Sequence, residues 1–183
     1  VQGKPATSTR QAIHEAGSAL FRQQGYAKTT VRQIAAAAGS DPALVIRHFK
    51  SKELLFLETM QLTIDDEPLL GAPLERLGER LIDLVIGIDG GARGVFLALV
   101  HGSNEPEIHK RLTDTHENVF IEPLRRRLSG PDADIRARLA ASVAAGLLYS
   151  LWIARDETLL ATDRATLVAR YGALVQHVLT PGA

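Results

Sequence analysis

Residues 38–55 read AGSDPALVIRHFKSKELL, and they set Leu44, Val45 and Ile46 beside Arg47, His48, Lys50 and Lys52. Gly39 reads as a helix stop, because glycine enters the left-handed conformation that closes a helix without a Cβ penalty. Asp41 followed by Pro42 reads as a helix start: aspartate accepts from free amides, and proline fits the first turn. Only Ser40 and Asp41 lie between the two helices. So short a turn makes them cross steeply, and the second helix must bury one face while presenting another. Val45 and Phe49 are four apart and are expected to face inward, leaving Pro42, Ala43, Leu44, Arg47 and His48 outward.

Outward from this stretch, nearly every segment shows helical spacing. A first helix is predicted from just after Ser8 to Gln24, with Ile13, Ala16, Leu20 and Phe21 on one face and Gly25 as its stop. Thr30 caps a short helix, Val31 to Ala38, with Ile34 and Ala35 inward. Ser51 caps a fourth, which carries Leu54, Leu55, Leu57 and Met60 and runs towards a loop, DDEPLLGAP, at residues 65–73. Further helices are predicted over 74–88, 93–102, 105–128, 135–155 and 164–179, with Pro123 kinking or splitting the third of these. The expected fold class is all-α: a three-helix amino-terminal module over residues 1–50, and a larger helical body over residues 51–183.

Composition narrows the class. The chain has 183 residues, 45% hydrophobic and 23% charged, and no cysteine, which excludes a disulfide framework and thiol chemistry. The amino terminus is polar, and the longest charge-free stretch, residues 139–154, is short for a membrane span. A cytoplasmic protein with no membrane association is expected. Net charge is zero but uneven: residues 1–60 hold eight Lys and Arg against four Asp and Glu, leaving the rest with thirteen against seventeen. A basic module on an acidic body points to a polyanion partner for the front alone.

The segment TTVRQIAAAAGSDPALVIRHFKSKELL, residues 29–55, resembles the DNA-binding region of the tetracycline-repressor (TetR) family of bacterial transcription regulators. The matching positions are Thr30, Ile34, Ala35, Ala38, Gly39, His48, Phe49, Ser51, Lys52, Glu53 and Leu55, with ALFRQQGYAKTT before them. The resemblance implies a helix-turn-helix regulator, expected to be a repressor and not an enzyme, that binds a palindromic operator as a homodimer and is released by a small-molecule effector. It implies that Thr30 and Arg32 meet the DNA backbone or a base edge and that Lys52 binds a phosphate. The helix 42–48 would enter the major groove, where Arg47 is the candidate to read guanine and Ala43 and Leu44 suit thymine methyl groups. His48 has a packing role as an equal alternative. The family usually has tyrosine where this chain has Ile46, which removes one phosphate contact.

The body is read more coarsely. In LAASVAAGLLYSLWIA, residues 139–154, apolar and small residues wrap all round the helix, and in the last helix Leu167, Val168, Tyr171, Leu174, Val175, Val178 and Leu179 form a broad stripe. The expectation is that these two helices pair with a second copy of the chain; a buried core helix of a monomer is the alternative. Phe96, Val100, His101, His116, Phe120, Tyr149 and Trp152 are the candidate effector pocket, each also readable as plain core. His109 and His116 are two helical turns apart, too far for one metal ion, and GIDGGARG, residues 87–94, lacks the strand and ending of a phosphate loop, so neither metal nor cofactor is expected. The competing functional class is a small helical enzyme or small-molecule binding protein whose front helices merely pack.

Overall fold

The computed structural model describes residues 8–60, 69, 71–88 and 90–180. Among the described residues the elements are helical: α1 (Thr9–Lys28), α2 (Val31–Ala37), α3 (Pro42–Phe49), α4 (Lys52–Thr59), α5 (Leu77–Ile86), α6 (Gly90–His101), α7 (Pro106–Thr115), α8 (Glu122–Arg125), α9 (Ala133–Tyr149), α10 (Glu157–Ala161) and α11 (Arg164–Leu179). A 3₁₀ turn, Leu74–Arg76, precedes α5, and π turns occupy His116–Ile121 and Ser150–Ala154. Helix α4 ends at Thr59, short of the Met60 expected on it, because Met60 is extended at φ -116° and ψ 127°; residues 61–68 of the expected continuation and loop lie outside the described residues. The short helix α10 was not anticipated, because its five residues show no full apolar period.

The chain divides into two compact units, Val1–Thr63 with Asp89–His109 and Ile64–Ile88 with Lys110–Ala183. In the first unit, α1 buries Ile13, Gly17, Phe21 and Tyr26, and α4 answers with Leu54, Leu55, Phe56 and Leu57. The Phe21 and Phe56 rings meet edge to face at 4.8 Å, a geometry that suits the aromatic quadrupole. Helix α6 packs on both through Val95, Ala98 and Leu99, and Gly94 lies so close to the Phe56 ring that a Cβ would stand 2.9 Å from it. Gly25 does interrupt α1: at φ 79° it breaks the helix after Gln24, and a last turn carries Tyr26 to Lys28.

The second unit is organised by close contact between α5 and α11. A Cβ on Gly78 would lie 2.2 Å from the Gly172 carbonyl oxygen, so only glycine lets the two backbones approach. Gln176 locks the crossing, its Oε1 accepting from the Gly78 amide and its Nε2 donating to the Leu74 carbonyl. Helix α9 buries Ala137, Ala140, Ala141, Ala144, Leu147 and Leu148, small residues that permit tight helix approach. With its π turn it forms a segment, Ala133–Ala154, long and apolar enough to cross a membrane by composition, yet this alanine face is core. Pro123 interrupts its helix as expected. The preceding turn widens to π geometry, which relieves the clash of the proline ring with the carbonyl four residues back.

Candidate nucleic-acid interface

The helix-turn-helix is built by three local devices. Thr30 and Gln33 form a reciprocal cap: the Gln33 amide donates to Thr30 Oγ1 at 3.2 Å and the Thr30 amide donates to Gln33 Oε1 at 2.9 Å. At the other end of α2 the Ser40 and Gly39 amides donate to the Ala35 and Ala36 carbonyls, with Gly39 at φ 61°. This is a Schellman closure, and it needs a residue tolerant of the left-handed region. Asp41 then opens α3, its Oδ1 accepting from the Ala43 amide at 2.7 Å, with Pro42 in the first turn.

Helix α3 is anchored on one side only. Val45 and Phe49 are 0% and 3% exposed, and burials of this kind contribute about 1.5–3 kcal/mol each. The Arg10 guanidinium covers the Phe49 ring at 4.6 Å from its centroid and also pairs with Glu58 at 2.8 Å, so the start of α1 holds the end of α3 and of α4 together. Pro42, Ala43, Ile46, Arg47 and His48 stand exposed, and Leu44 is half-buried. Thr30 and Arg32, at the start of α2, are exposed as well. Lys50 closes α3 at φ 65°, a conformation few side chains adopt, and forms an ion pair with Glu107 at 3.6 Å. Two exposed cations, Arg32 and Arg47, thus accompany small and apolar side chains.

Lys52, for which a phosphate contact is expected, has partners within the protein. Its Nζ donates to the Tyr26 and Thr29 carbonyls, both at 3.2 Å, and lies 4.0 Å from the centroid of the Tyr26 ring. The Tyr26 hydroxyl donates to Glu53 Oε1. Burial, with the Glu53 carboxylate adding to it, pushes the Tyr26 phenol well above the ordinary tyrosine range, and burial lowers the Lys52 ammonium against the opposing pull of Glu53. Sequence reasoning did not single out Tyr26 as a partner of Lys52. The separation of 26 residues hides it, and the only signal was the adjacency of Lys52 and Glu53 to a helix start.

The candidate effector residues fall in both units. Phe96 and Val100 are half-buried on α6 of the first unit, and His101 is exposed with its ring 6.2 Å from that of Tyr26. In the second unit the His116 and Phe120 rings lie 6.1 Å apart, tilted, within the first π turn, and Trp152 is half-buried in the other. Tyr149 is 54% exposed and shares the outward face of α9 with Ile135 and Leu139, 53% and 49% exposed. A cavity of about 570 Å³ in this unit is lined by Leu74, Glu75, Ala173, Gln176, His177 and Thr180, none of them anticipated. Arginines at 125–127 find partners within this unit. Arg125 pairs with Glu117, Glu122 and Asp134, and Arg127 donates to the Leu69 and Ala72 carbonyls.

Residues 13–59 match the family described as bacterial regulatory proteins, tetR family, and residues 75–179 match the tetracyclin repressor-like carboxy-terminal domain. The chain belongs to the TetR family. It is similar to the transcriptional repressor Rv3405c of Mycobacterium tuberculosis, 28% identical over 166 residues that cover 80% of this chain and 78% of that protein. It is also similar to the transcriptional regulator TcmR of Streptomyces glaucescens, 31% identical over 141 residues covering 75% of this chain and 59% of TcmR. Among solved structures, NalD, the secondary repressor of the MexAB-OprM multidrug efflux pump in Pseudomonas aeruginosa, shares the fold with a TM-score of 0.57 at 24% identity, covering 96% of this chain and 98% of NalD. This TetR-family chain is a DNA-binding regulator of transcription, and the reading as a helical enzyme or a binding protein without DNA is not favoured.

Proposed function

We propose that this regulator binds a palindromic operator as a homodimer and represses the genes beside it until a small apolar effector releases it. The observation that carries this reading is the two-sided α3, held by Val45 and Phe49 while Pro42, Ala43, Arg47 and His48 stay exposed. In the major groove Arg47 would bond a guanine through two hydrogens, and Ala43 and Leu44 would meet thymine methyl groups. Arg32 and the cap at Thr30 would set the module against the sugar-phosphate backbone. Ile46, 45% exposed beside Arg47, supplies apolar contact where a hydroxyl would have supplied a phosphate bond.

In this proposal DNA contact stays within residues 1–50, while pairing and effector binding belong to residues 51–183. Pairing uses the last two long helices. Ile135, Leu139 and Tyr149 line the outward face of α9, and Leu174 on α11 is 58% exposed, an apolar strip that a lone soluble protomer has no reason to keep bare. Two copies related by a twofold axis place their recognition helices on half-sites one helical turn apart. The effector seat would use His116, Phe120 and Trp152. A ligand releases DNA only if it binds the DNA-incompetent state more tightly, so the two affinities must oppose each other. The protein works in the cytoplasm, where its operator lies.

Selection of bound duplexes from a random DNA pool tests the reading. An inverted repeat with half-sites about ten base pairs apart is expected. Recovery of sequences without symmetry or consensus contradicts the operator model. Effector chemistry is tested by adding panels of apolar and of ionic small molecules to the recovered complex, and release by the ionic panel alone contradicts an apolar seat.

A further inference from the structure

We infer that Lys52 is a positioning residue for the helix-turn-helix and not a phosphate ligand: its ammonium is a staple that fixes the passage from α1 into α2 against the start of α4. The inference rests on the DNA-binding reading and adds a role within it.

Three observations carry it. The first is that the ammonium is already engaged. An ammonium has three hydrogens, and here two go to the Tyr26 and Thr29 carbonyls while the Tyr26 ring covers a further side of the cation. Reaching out to a phosphate would abandon both carbonyls in a half-buried place. The second is what those carbonyls belong to. Tyr26 to Thr29 is the passage from α1 to α2, and Thr29 is fully buried, its hydroxyl donating to the Gly25 carbonyl at 2.8 Å. The next residue, Thr30, is the cap of α2. Lys52 therefore holds the backbone one residue upstream of the cap of α2, the helix whose start faces DNA in the proposed function. The third is that the seat is itself braced. Glu53 accepts from the Tyr26 hydroxyl and offsets the Lys52 charge, while the Tyr26 ring also meets the Phe56 ring, tilted, at 5.1 Å between centroids. Arg32 and Arg47 differ in every respect, being exposed and free to meet an anion.

Salt dependence separates the two roles. Each phosphate neutralised by a protein cation contributes about 0.9 to the slope of log K against log salt, so two Lys52 phosphate contacts in a dimer would contribute about 1.8. A staple contributes nothing to that slope. The experiment is fluorescence anisotropy of the full chain on a duplex from around its own gene and on a random duplex, across salt concentrations and well below the unfolding temperature. The parent is compared with Lys52→Met, which keeps the stem and removes the charge, after circular dichroism has established its fold. The expected result is specific binding weakened about tenfold or more, an unchanged salt slope and unchanged binding to random DNA. A general loss of stability would leave the Kd of folded protein unmoved.

A slope lowered by about 1.8, or a Kd equal to the parent's, overturns the inference alone; failure of the parent itself to bind overturns the DNA-binding reading beneath it. If Lys52→Met does not fold, Tyr26→Phe takes its place. Loss of its bond to Glu53 is expected to weaken specific binding about two- to fivefold at unchanged slope, the range one net hydrogen bond allows. An unchanged Kd for that variant overturns the inference equally.

Discussion

Two neighbouring residues on α11 separate the pairing face from the core. Leu174 is 58% exposed and Val175 is 0% exposed, although both belong to the same apolar stripe in the sequence. Full burial of a leucine side chain is worth about 2 kcal/mol, so Leu174 has slightly over half of that still to gain from a partner. A twofold interface uses every residue twice. Leu174 would therefore stabilise the dimer by about 2 to 2.5 kcal/mol, and Leu174→Glu would forfeit that and place a carboxylate in the apolar strip of Ile135, Leu139 and Tyr149. The dimer dissociation constant is expected to rise at least about 50-fold, with the thermal stability of the protomer almost unchanged. Sedimentation equilibrium over a concentration series measures the first, and circular dichroism the second. Val175→Glu is expected to behave otherwise and unfold the body, since it buries an unpaired charge. A Leu174→Glu protein with the parent's dimer constant would refute the proposed face.

Other perturbations probe other levels. Arg47→Ala is expected to cost about 1–3 kcal/mol on the selected operator and to relax preference at one position per half-site; binding assays on operators mutated at each position check this. Gly78→Ala forces a methyl to within 2.2 Å of the Gly172 carbonyl oxygen, an overpacking against backbone at the upper end of about 1–3 kcal/mol. For a chain of this size a fall in Tm of about 5–10 °C follows, and a fall under about 2 °C in a calorimetric scan contradicts the crossing. A third test is alkaline. The Tyr26 phenol is raised in the folded state, so its stabilising contribution is complete below the ordinary tyrosine value of about 10 and is lost as pH rises beyond it. The lowered Lys52 has the opposite sign, its cost fading as pH rises towards the ordinary lysine value. Comparison with Tyr26→Phe, which keeps Lys52, isolates the phenol: denaturant stability of the parent should fall more steeply than the variant's above about pH 10, and parallel curves would contradict the buried bond to Glu53.

The helix-turn-helix was legible because its signals are local. Thr30, Gly39, Asp41, Pro42 and Ser51 act on backbone amides and carbonyls within a few residues, and each does in the fold what its chemistry dictates. Periodicity found the buried sides of α2 and α3 for the same reason. The stripe of the last helix was legible only as a stripe, since alternation of Leu174 and Val175 between outside and inside depends on where α5 lies. Gly78 and Gly172 are 94 positions apart and carry no local signature. The phosphate contact expected of Lys52 follows from its position at a helix start, where free amides favour anions, whereas the carbonyls that its ammonium meets come from a segment some two dozen residues away and carry no local signal. Residues that line a cavity carry no local signature either, since packing rather than spacing selects them.

Sequence-specific DNA binding by a dimer is measured by fluorescence anisotropy of the purified protein on duplexes from around its own gene. Saturable binding of two protomers to one fragment, at least a hundredfold tighter than to random DNA at the same salt, is the predicted result. Weak binding to every fragment, lost together with modest salt, would reduce the front module to a basic patch and contradict the account.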